Sequence, residues 1–340
     1  MSFPDPRTAD RALREHAVLG ETAPRGRIAV AGRDRASYLQ GLLTNDIQAL
    51  TPGTGCYSAW LTPQGRMLTD LHVLESGDMI LLDVPADLVE GTLQRLDQFL
   101  FSEDVQLADL SASVRSLWVH GPAAAGLLEG LLLDIAGLAS WTDYQHTRGK
   151  FGDAPASVVR IDQLGVPGYC VLVAPEYQPV LAEALQAAGV VVASPEVVEA
   201  ARIEAGYPLF GVDMDTETIP LEAGIEGRAI SLSKGCYVGQ EVIIRVLHRG
   251  HGRVAKRLVT LRVDGDPPPR GARVLSSERE TGAAPGGREI GRITSAARSP
   301  RFGTLALAYV HRDFVEAGTP VSIEGAPGGL PAVVSSRPLT

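Results

Sequence analysis

The octet Lys234-Gly235-Cys236-Tyr237-Val238-Gly239-Gln240-Glu241 sets one thiol between two glycines, with a lysine two residues ahead of it. Gly235 and Gly239 remove side-chain bulk and allow positive φ, so the spacing predicts a tight loop that lets a ligand approach the sulfur. Val242, Ile243, Val246 and Leu247 follow at helical spacing, which predicts a helix starting just behind Cys236. Unpaired amides at such a start favour a thiolate. The chain has 31 Lys plus Arg, yet its lysines are Lys150, Lys234 and Lys256 alone, so a lysine in this loop stands out from the background. Its compact ammonium suits stabilising a thiolate or binding an anion. A second reading of the same residues stays open: a Gly-rich turn in which Cys236 is a small buried filler.

Charge restricts the partners. With 40 Asp plus Glu the formal net charge is −9, which argues against a surface that coats nucleic acid, and direct nucleic-acid binding is not expected. From residue 242 to 263 the balance reverses: there is no acidic residue, while Arg245, Arg249, Arg253, Lys256, Arg257 and Arg262 are joined by His248 and His251. This stretch reads either as a site for carboxylates or phosphates or as a solvated basic face. Cys56, Cys170 and Cys236 are too few and too scattered for a disulfide framework, and Met1 to Pro6 shows no basic segment followed by an apolar core, so a cytoplasmic protein is expected. The most apolar window, residues 127–139, contains Glu129 and Asp134 and is too short to cross a bilayer. No zinc-ligand spacing, phosphate-binding Gly-rich loop or dinucleotide fingerprint occurs, so neither a metal site nor nucleotide-driven chemistry is expected.

The elements that must position these residues follow from periodicity. A strand is predicted at 27–31, then a helix over 34–50 with Leu39, Leu42, Leu43, Ile47 and Leu50 on one face. Strands at 56–61, 67–74 and 79–84, separated by turn compositions, form an antiparallel meander, and a helix over 86–99 follows. The same order recurs: strand 114–119, helix 122–132, strands 158–161 and 169–173, helix 176–188. A short strand at 190–192 leads into a helix capped by Ser194, with Pro195 at its first position and Gly206 as its stop. After Asp264 to Pro269, short alternating runs at 290–294, 305–310, 321–323 and 332–334 predict a small all-β barrel or sandwich. The class is α+β in layers followed by β.

The octet as it stands resembles the signature of the YgfZ family of folate-binding proteins. Three further stretches extend the resemblance over nearly the whole chain. Leu39 to Asp46 is similar to the early helix of YgfZ-like proteins. Arg202-Ile203-Glu204-Ala205-Gly206-Tyr207-Pro208 and Ile290-Gly291-Arg292-Ile293-Thr294-Ser295 resemble, respectively, the helix end and the C-terminal barrel of the glycine-cleavage T-protein superfamily. The resemblance implies an α+β protein: a three-domain T-protein-like cloverleaf with two α/β layered domains and a C-terminal β-barrel. In that division residues 1–50 and 113–249 form a folate-binding domain, 51–112 an inserted domain and 250–340 the barrel.

It also implies tetrahydrofolate, or a reduced folate derivative, as cofactor. Leu61 to Leu71 resembles the T-protein stretch whose aspartate, matched here by Asp70, lies near the reactive nitrogen of folate. A mid-strand carboxylate points either outward to water or inward to a ligand nitrogen it can accept from or protonate. Arg202 matches an arginine of the folate channel, with an ordinary ion pair to Glu199 or Glu204 as the alternative. Tyr237, Gln240 and Arg245 are also expected to bind the cofactor, some of Arg202, Arg245 and Arg249 lining a channel suited to its anionic glutamate tail, and Cys236, Asp70 and Lys234 are assigned to the chemistry. One departure stands out: the T-protein glutamate for the pterin ring has no acidic counterpart in Leu164 to Tyr169, which argues against aminomethyl transfer.

The function implied is folate-linked assembly or repair of iron-sulfur clusters on client proteins, and thereby iron-sulfur-dependent tRNA modification, through a reactive Cys236. Partners are then iron-sulfur client or assembly proteins, and any cluster is shared or transient because three cysteines cannot hold one. The alternative is a folate-dependent one-carbon (aminomethyl or methyl) transferase with Asp70 as acid-base group.

Overall fold

The computed structural model describes residues 3–248, 252–276, 287–325 and 329–339. Two sheets lie face to face, each backed by helices, and a closed six-stranded barrel follows, so the class is mixed α and β with a C-terminal β-barrel, as the sequence predicts. In spatial order the first sheet runs Val191–Val192, Val18–Leu19, Arg115–His120, Gly168–Val173, Ala154–Arg160 and His146–Phe151. The second runs Thr54–Leu61, Met67–Glu75, Met79–Pro85, Arg25–Ala31 and Gln106–Asp109. Arg25–Ala31 pairs with Met79–Pro85 from Arg25 opposite Pro85 to Ala31 opposite Met79, so this sheet draws strands from both sides of residue 51.

Strand period 2 sorts the second sheet into two unlike faces. Ile28, Val30, Leu71, Val73, Ile80, Leu82 and Val84 share one core with the Arg35–Leu42 and Val89–Gln98 helices. The alternate positions include a polar group, Arg25, Arg27, Asp70, His72 and Asp83, joined by Tyr57. That face turns toward the first sheet, because Tyr57, Ala59 and Leu74 share a second core with Trp118, Val159, Cys170 and Leu172. On the first sheet the other alternates, Tyr169, Val171 and Val173, pack against the Ala124–Leu131 and Gln178–Ala187 helices. Charged side chains are therefore enclosed between two sheets by ordinary alternation.

The helix predicted over 34–50 stops at Leu42. Lys234, from the octet, donates to the carbonyls of Gln40 (2.7 Å), Leu43 (2.6 Å) and Asn45 (2.8 Å). The Gln40 side chain accepts from the backbone N–H of Ile47, and Thr44 and Asn45 bond to the carbonyls of Ala229 and Arg228. Together these claim the groups that further turns of helix would pair. Tertiary bonds outcompeted a local apolar periodicity that was real, since Leu39, Leu43 and Ile47 are all buried.

The barrel is Lys256–Val263, Gly303–His311, Glu289–Ser299, Arg273–Ser276, Pro320–Ile323 and Leu330–Ser335 in closed order. Part of the basic stretch is thus its first strand, which alternates Leu261 and Val263 inward with Arg262 outward. The Pro195–Glu204 helix lies between the layers and the barrel: Val197, Val198 and Ala201 face Leu13 and Val18, while Ala200 and Ile203 face Leu258, Leu305 and Leu307. Ser194 precedes this helix without a side-chain cap bond. No helix among the described residues is long and apolar enough to cross a membrane.

Candidate functional site

The polar face of the second sheet converges on Asp70, which is 2% exposed. Its carboxylate accepts from the Tyr57 hydroxyl at 2.8 Å and from Arg25 at 3.2 Å. Arg25 also binds the Asp83 carboxylate and, at 2.7 Å, the Asp83 carbonyl, and Arg27 pairs with Asp83 at 3.0 Å. Two arginines thus pair with two buried carboxylates. Asp83 is held below the usual carboxylate range: burial pushes it up, and Arg27 and Arg25 more than reverse that. His72 sits 3.5 Å from Asp83 and 3.5 Å from the Tyr207 hydroxyl. Burial, helped by Arg25, lowers it to about 3, so its ring is neutral near pH 7.

Aromatic rings pack around this polar interior. Tyr57 and Tyr144 flank His72 at 5.8 and 5.7 Å between centroids. The Arg228 guanidinium lies 4.4 Å from the Tyr57 ring centre and 4.1 Å from that of Tyr207. Its Nη2 is buried and has no acceptor among the described residues. Arg337, near the chain end, donates to the carbonyls of Ala223 and Gly224 and leaves a buried Nη1 unpartnered. Burial lowers Arg337 to about 10, with Arg228 among the neighbouring charges that add to this. Its stem lies over Gly206, where an added Cβ would stand 2.1 Å from Arg337 Cγ; with φ +64° as well, Gly206 both ends its helix and admits this side chain. Buried donors without acceptors carry a cost, and a ligand with acceptor atoms removes it.

Periodicity could have marked some of these residues. Arg25, Arg27, His72 and Asp83 are charged or polar positions inside strands otherwise rich in Val, Ile and Leu. Arg228, Tyr144 and Arg337 carry no such signal, because loops, a one-turn helix and the chain end deliver them.

The residues proposed from the sequence separate into three environments. Asp70 lies in the interior just described. Lys234 is 7% exposed and donates all three protons to carbonyls, besides lying 5.1 Å from the Tyr237 ring centre. Burial lowers it to about 8, so it remains an ammonium at neutral pH, but its protons bind the end of a helix and are not turned to Cys236. The expectation that it activates the thiol is corrected accordingly. Tyr237 is buried in the shared core with its hydroxyl unpartnered among the described residues. Gln240 is half-buried at the start of the Gln240–His248 helix, and Arg245 is exposed on it. Arg249 and His251 lie outside the described residues.

Arg202 is elsewhere. It is 0% exposed and all five donors are taken: Glu199 at 2.8 and 2.6 Å, Asp213 at 2.7 Å, the Tyr207 carbonyl and the Ser295 hydroxyl at 2.9 Å. None is left for a folate carboxylate or pterin. Its role here is to tie the Pro195–Glu204 helix to the barrel strand carrying Ser295.

Cys236 is exposed, on a loop four residues ahead of the helix. Gly239 has φ +85°, and an added Cβ would stand 2.5 Å from the Thr62 carbonyl; Gly235 has neither constraint, so the backbone argument holds for one glycine of the two. Burial pushes Cys56 up to about 12 and Cys170 higher still. Alkylation at neutral pH is therefore expected to label Cys236 first, read by peptide mapping of the native protein; faster labelling of Cys56 or Cys170 would overturn the assignment. Among the described residues no cluster of His, Cys, Asp and Glu could hold a metal ion.

Residues 7–234 match the GCVT N-terminal domain and residues 256–340 the glycine cleavage T-protein C-terminal barrel domain. An aminomethyltransferase of Streptomyces coelicolor is 30% identical over 318 residues, covering 91% of this chain and 82% of the relative. One from Nostoc sp. is 29% identical over 339 residues, covering 96% and 85%. The glycine cleavage system aminomethyltransferase T of Bartonella henselae superposes with a TM-score of 0.86 at 23% identity, over 98% of this chain and 89% of that one, which shows a common fold. With these two domain models matching most of its length, the chain belongs to the glycine cleavage T-protein superfamily.

Proposed function

We propose that this protein binds a reduced folate of the tetrahydrofolate type between its two sheets and uses Asp70 in one-carbon transfer. The carrying observation is the buried carboxylate of Asp70 beside an aromatic cluster whose cation, Arg228, keeps a donor unpartnered among the described residues. A pterin is a flat heteroaromatic ring edged by donors and acceptors. Tyrosine faces can stack on it, a guanidinium can donate to its acceptors, and a carboxylate can accept from or protonate a nitrogen. Arg228 and Arg337 would hold the ligand's acceptors, and Tyr57 and Arg25 would fix the orientation of the Asp70 carboxylate. Bound tetrahydrofolate would supply the nitrogens that carry one-carbon units. The names of the relatives, aminomethyltransferases, support transfer chemistry. Leu164 to Tyr169 offers no carboxylate to the ring, so the identity of the transferred group is not carried over with the name.

One observation favours a second reading. Cys236 is an exposed thiol in a complete YgfZ-like octet, whereas Cys56 and Cys170 are held as thiols by burial. This supports a YgfZ-type role in iron-sulfur cluster assembly or repair, with cluster-bearing client proteins as partners and iron-sulfur-dependent tRNA modification downstream. Both readings require folate. Titration calorimetry with tetrahydrofolate is expected to show binding, and melting temperature is expected to rise with ligand, since occupancy at about a hundred times Kd adds about 2.7 kcal/mol. Absence of heat and of any melting shift at millimolar ligand would remove both.

A further inference from the structure

A cavity of about 460 Å³ opens between the two sheets, walled by Leu74, Met79 and Leu81 from the second and by Ser157, Val159 and Leu172 from the first. Leu74 lies opposite Leu81 in one ladder, and Ser157 stands between Arg148 and Leu172 in the other, so strand alternation turns both sets toward the gap. Leu81 marks the gap as open. It belongs to the central strand of its sheet, and its neighbours Ile80 and Leu82, on the helix-backed face, are 0% exposed, yet Leu81 itself is only half-buried. Leu74 follows Asp70 by four residues on one strand face, about 13 Å, and His72, with Tyr144 against it, lies between them. Neither Asp70 nor its partners Tyr57 and Arg25 line the cavity.

Its chemistry also differs from that interior. The charged side chains on its wall cancel: Arg148 donates to both oxygens of Asp78, at 3.0 and 2.6 Å, joining an edge strand of one sheet to a turn of the other. Burial lowers the pKa of His146, the remaining titratable group on the wall, so its ring is neutral near pH 7; its Nδ1 donates to the Tyr144 carbonyl at 3.2 Å and its Nε2 lies 3.5 Å from the Ser76 hydroxyl. Ser157 is different: its side chain is half-buried on the wall with no partner among the described residues. An apolar cavity of this size with a few placed polar groups has the usual form of a small-molecule site. A charged ligand would lose hydration here without gaining a free counter-charge, so the lining selects a neutral one. Facing sheets stand about 10 Å apart, and such a slot suits a flat body better than a branched one. We infer that the cavity binds an uncharged, flat aromatic molecule of one or two rings whose ring N–H or O–H donates to the Ser157 hydroxyl. The inference does not depend on the folate reading.

The test is titration calorimetry of the whole chain with indole, 1-methylindole and 1-octanol, for wild type, Ser157→Ala and Leu81→Trp. Wild type is expected to bind indole, and to bind 1-methylindole roughly tenfold more weakly because the Ser157 oxygen is then enclosed without a donor. 1-Octanol, with a hydroxyl but no ring, is expected to bind more weakly than indole. Ser157→Ala is expected to bind the two indoles alike. Leu81→Trp fills the slot with a ring of its own and is expected to lose both indoles while its melting curve still reports a folded chain; the Ser157→Ala comparison stands by itself if the tryptophan unfolds the protein. Saturating tetrahydrofolate is expected to leave indole affinity unchanged. No indole binding by wild type at millimolar ligand, equal wild-type affinities for the two indoles, or indole binding that survives in a folded Leu81→Trp chain overturns the site. Displacement of indole by tetrahydrofolate merges the cavity with the Asp70 interior and overturns it too, and tighter binding of 1-octanol than of indole overturns the aromatic assignment.

Discussion

Arg202→Leu is expected to lower stability by about 3 kcal/mol, within the range for breaking one partner out of a buried pair, and to drop the melting temperature on the order of 10 °C. The leucine leaves Asp213, whose side chain is 0% exposed, without its cation. Leu209 N–H still donates to that carboxylate at 3.1 Å, and Thr294 and Ser295 donate at 2.5 and 2.6 Å, which places the loss at the lower end of the range. Burying the leucine returns little, because the cavity is lined by the polar groups that arginine satisfied. The Pro195–Glu204 helix would keep its apolar contacts with the barrel but lose the Ser295 link. Thermal and denaturant unfolding measure the effect. A variant that melts within a degree of wild type yet loses tetrahydrofolate affinity would return Arg202 to the ligand and sink the structural assignment.

Asp70→Asn is expected to cut one-carbon transfer by about 10²- to 10⁴-fold, the usual contribution of a positioned acid-base group, while Cys236→Ala leaves it within a few-fold. Asparagine keeps the shape, with its carbonyl oxygen accepting from Arg25 and its amide N–H donating to the Tyr57 oxygen, so folate affinity should fall far less than turnover. Some stability is lost because Arg25 and Arg27 then share Asp83 alone, and a melting curve of the apoprotein separates that loss from chemistry. Cys236 is exposed and contributes little packing, so its replacement should leave fold and affinity intact. Support of iron-sulfur enzymes in cells supplies the contrasting readout. If Cys236→Ala abolishes that support while Asp70→Asn retains it, the transferase reading is wrong and the thiol-based one replaces it.

Much of the frame was legible from residue order alone. Strand alternation predicted the meander through Thr54–Leu61, Met67–Glu75 and Met79–Pro85, and turn chemistry punctuated the C-terminal barrel. Those signals are local: a pleat exposes alternate residues to opposite faces, and a turn needs particular φ values within a few positions. The octet also identified an accessible cysteine, since Gly239 bears the positive φ that the loop requires.

What each charged group does was settled by partners far along the chain. Lys234 reads as an activator of the thiol beside it, yet its donors end on Gln40, Leu43 and Asn45, about two hundred positions upstream. Arg202 reads as a ligand-binding fork, yet Asp213 and Ser295 consume it. Arg337 had no motif around it and reaches the interior only because Gly206 leaves room for its stem and Gly224 for its guanidinium. A buried guanidinium or ammonium binds whichever acceptors the fold brings within about 3 Å, and sequence spacing holds no record of that distance. Residue type and periodicity determined which face of each strand is polar; only the packing of two sheets and a barrel decided which of those polar groups were paired off and which were left with a donor to offer.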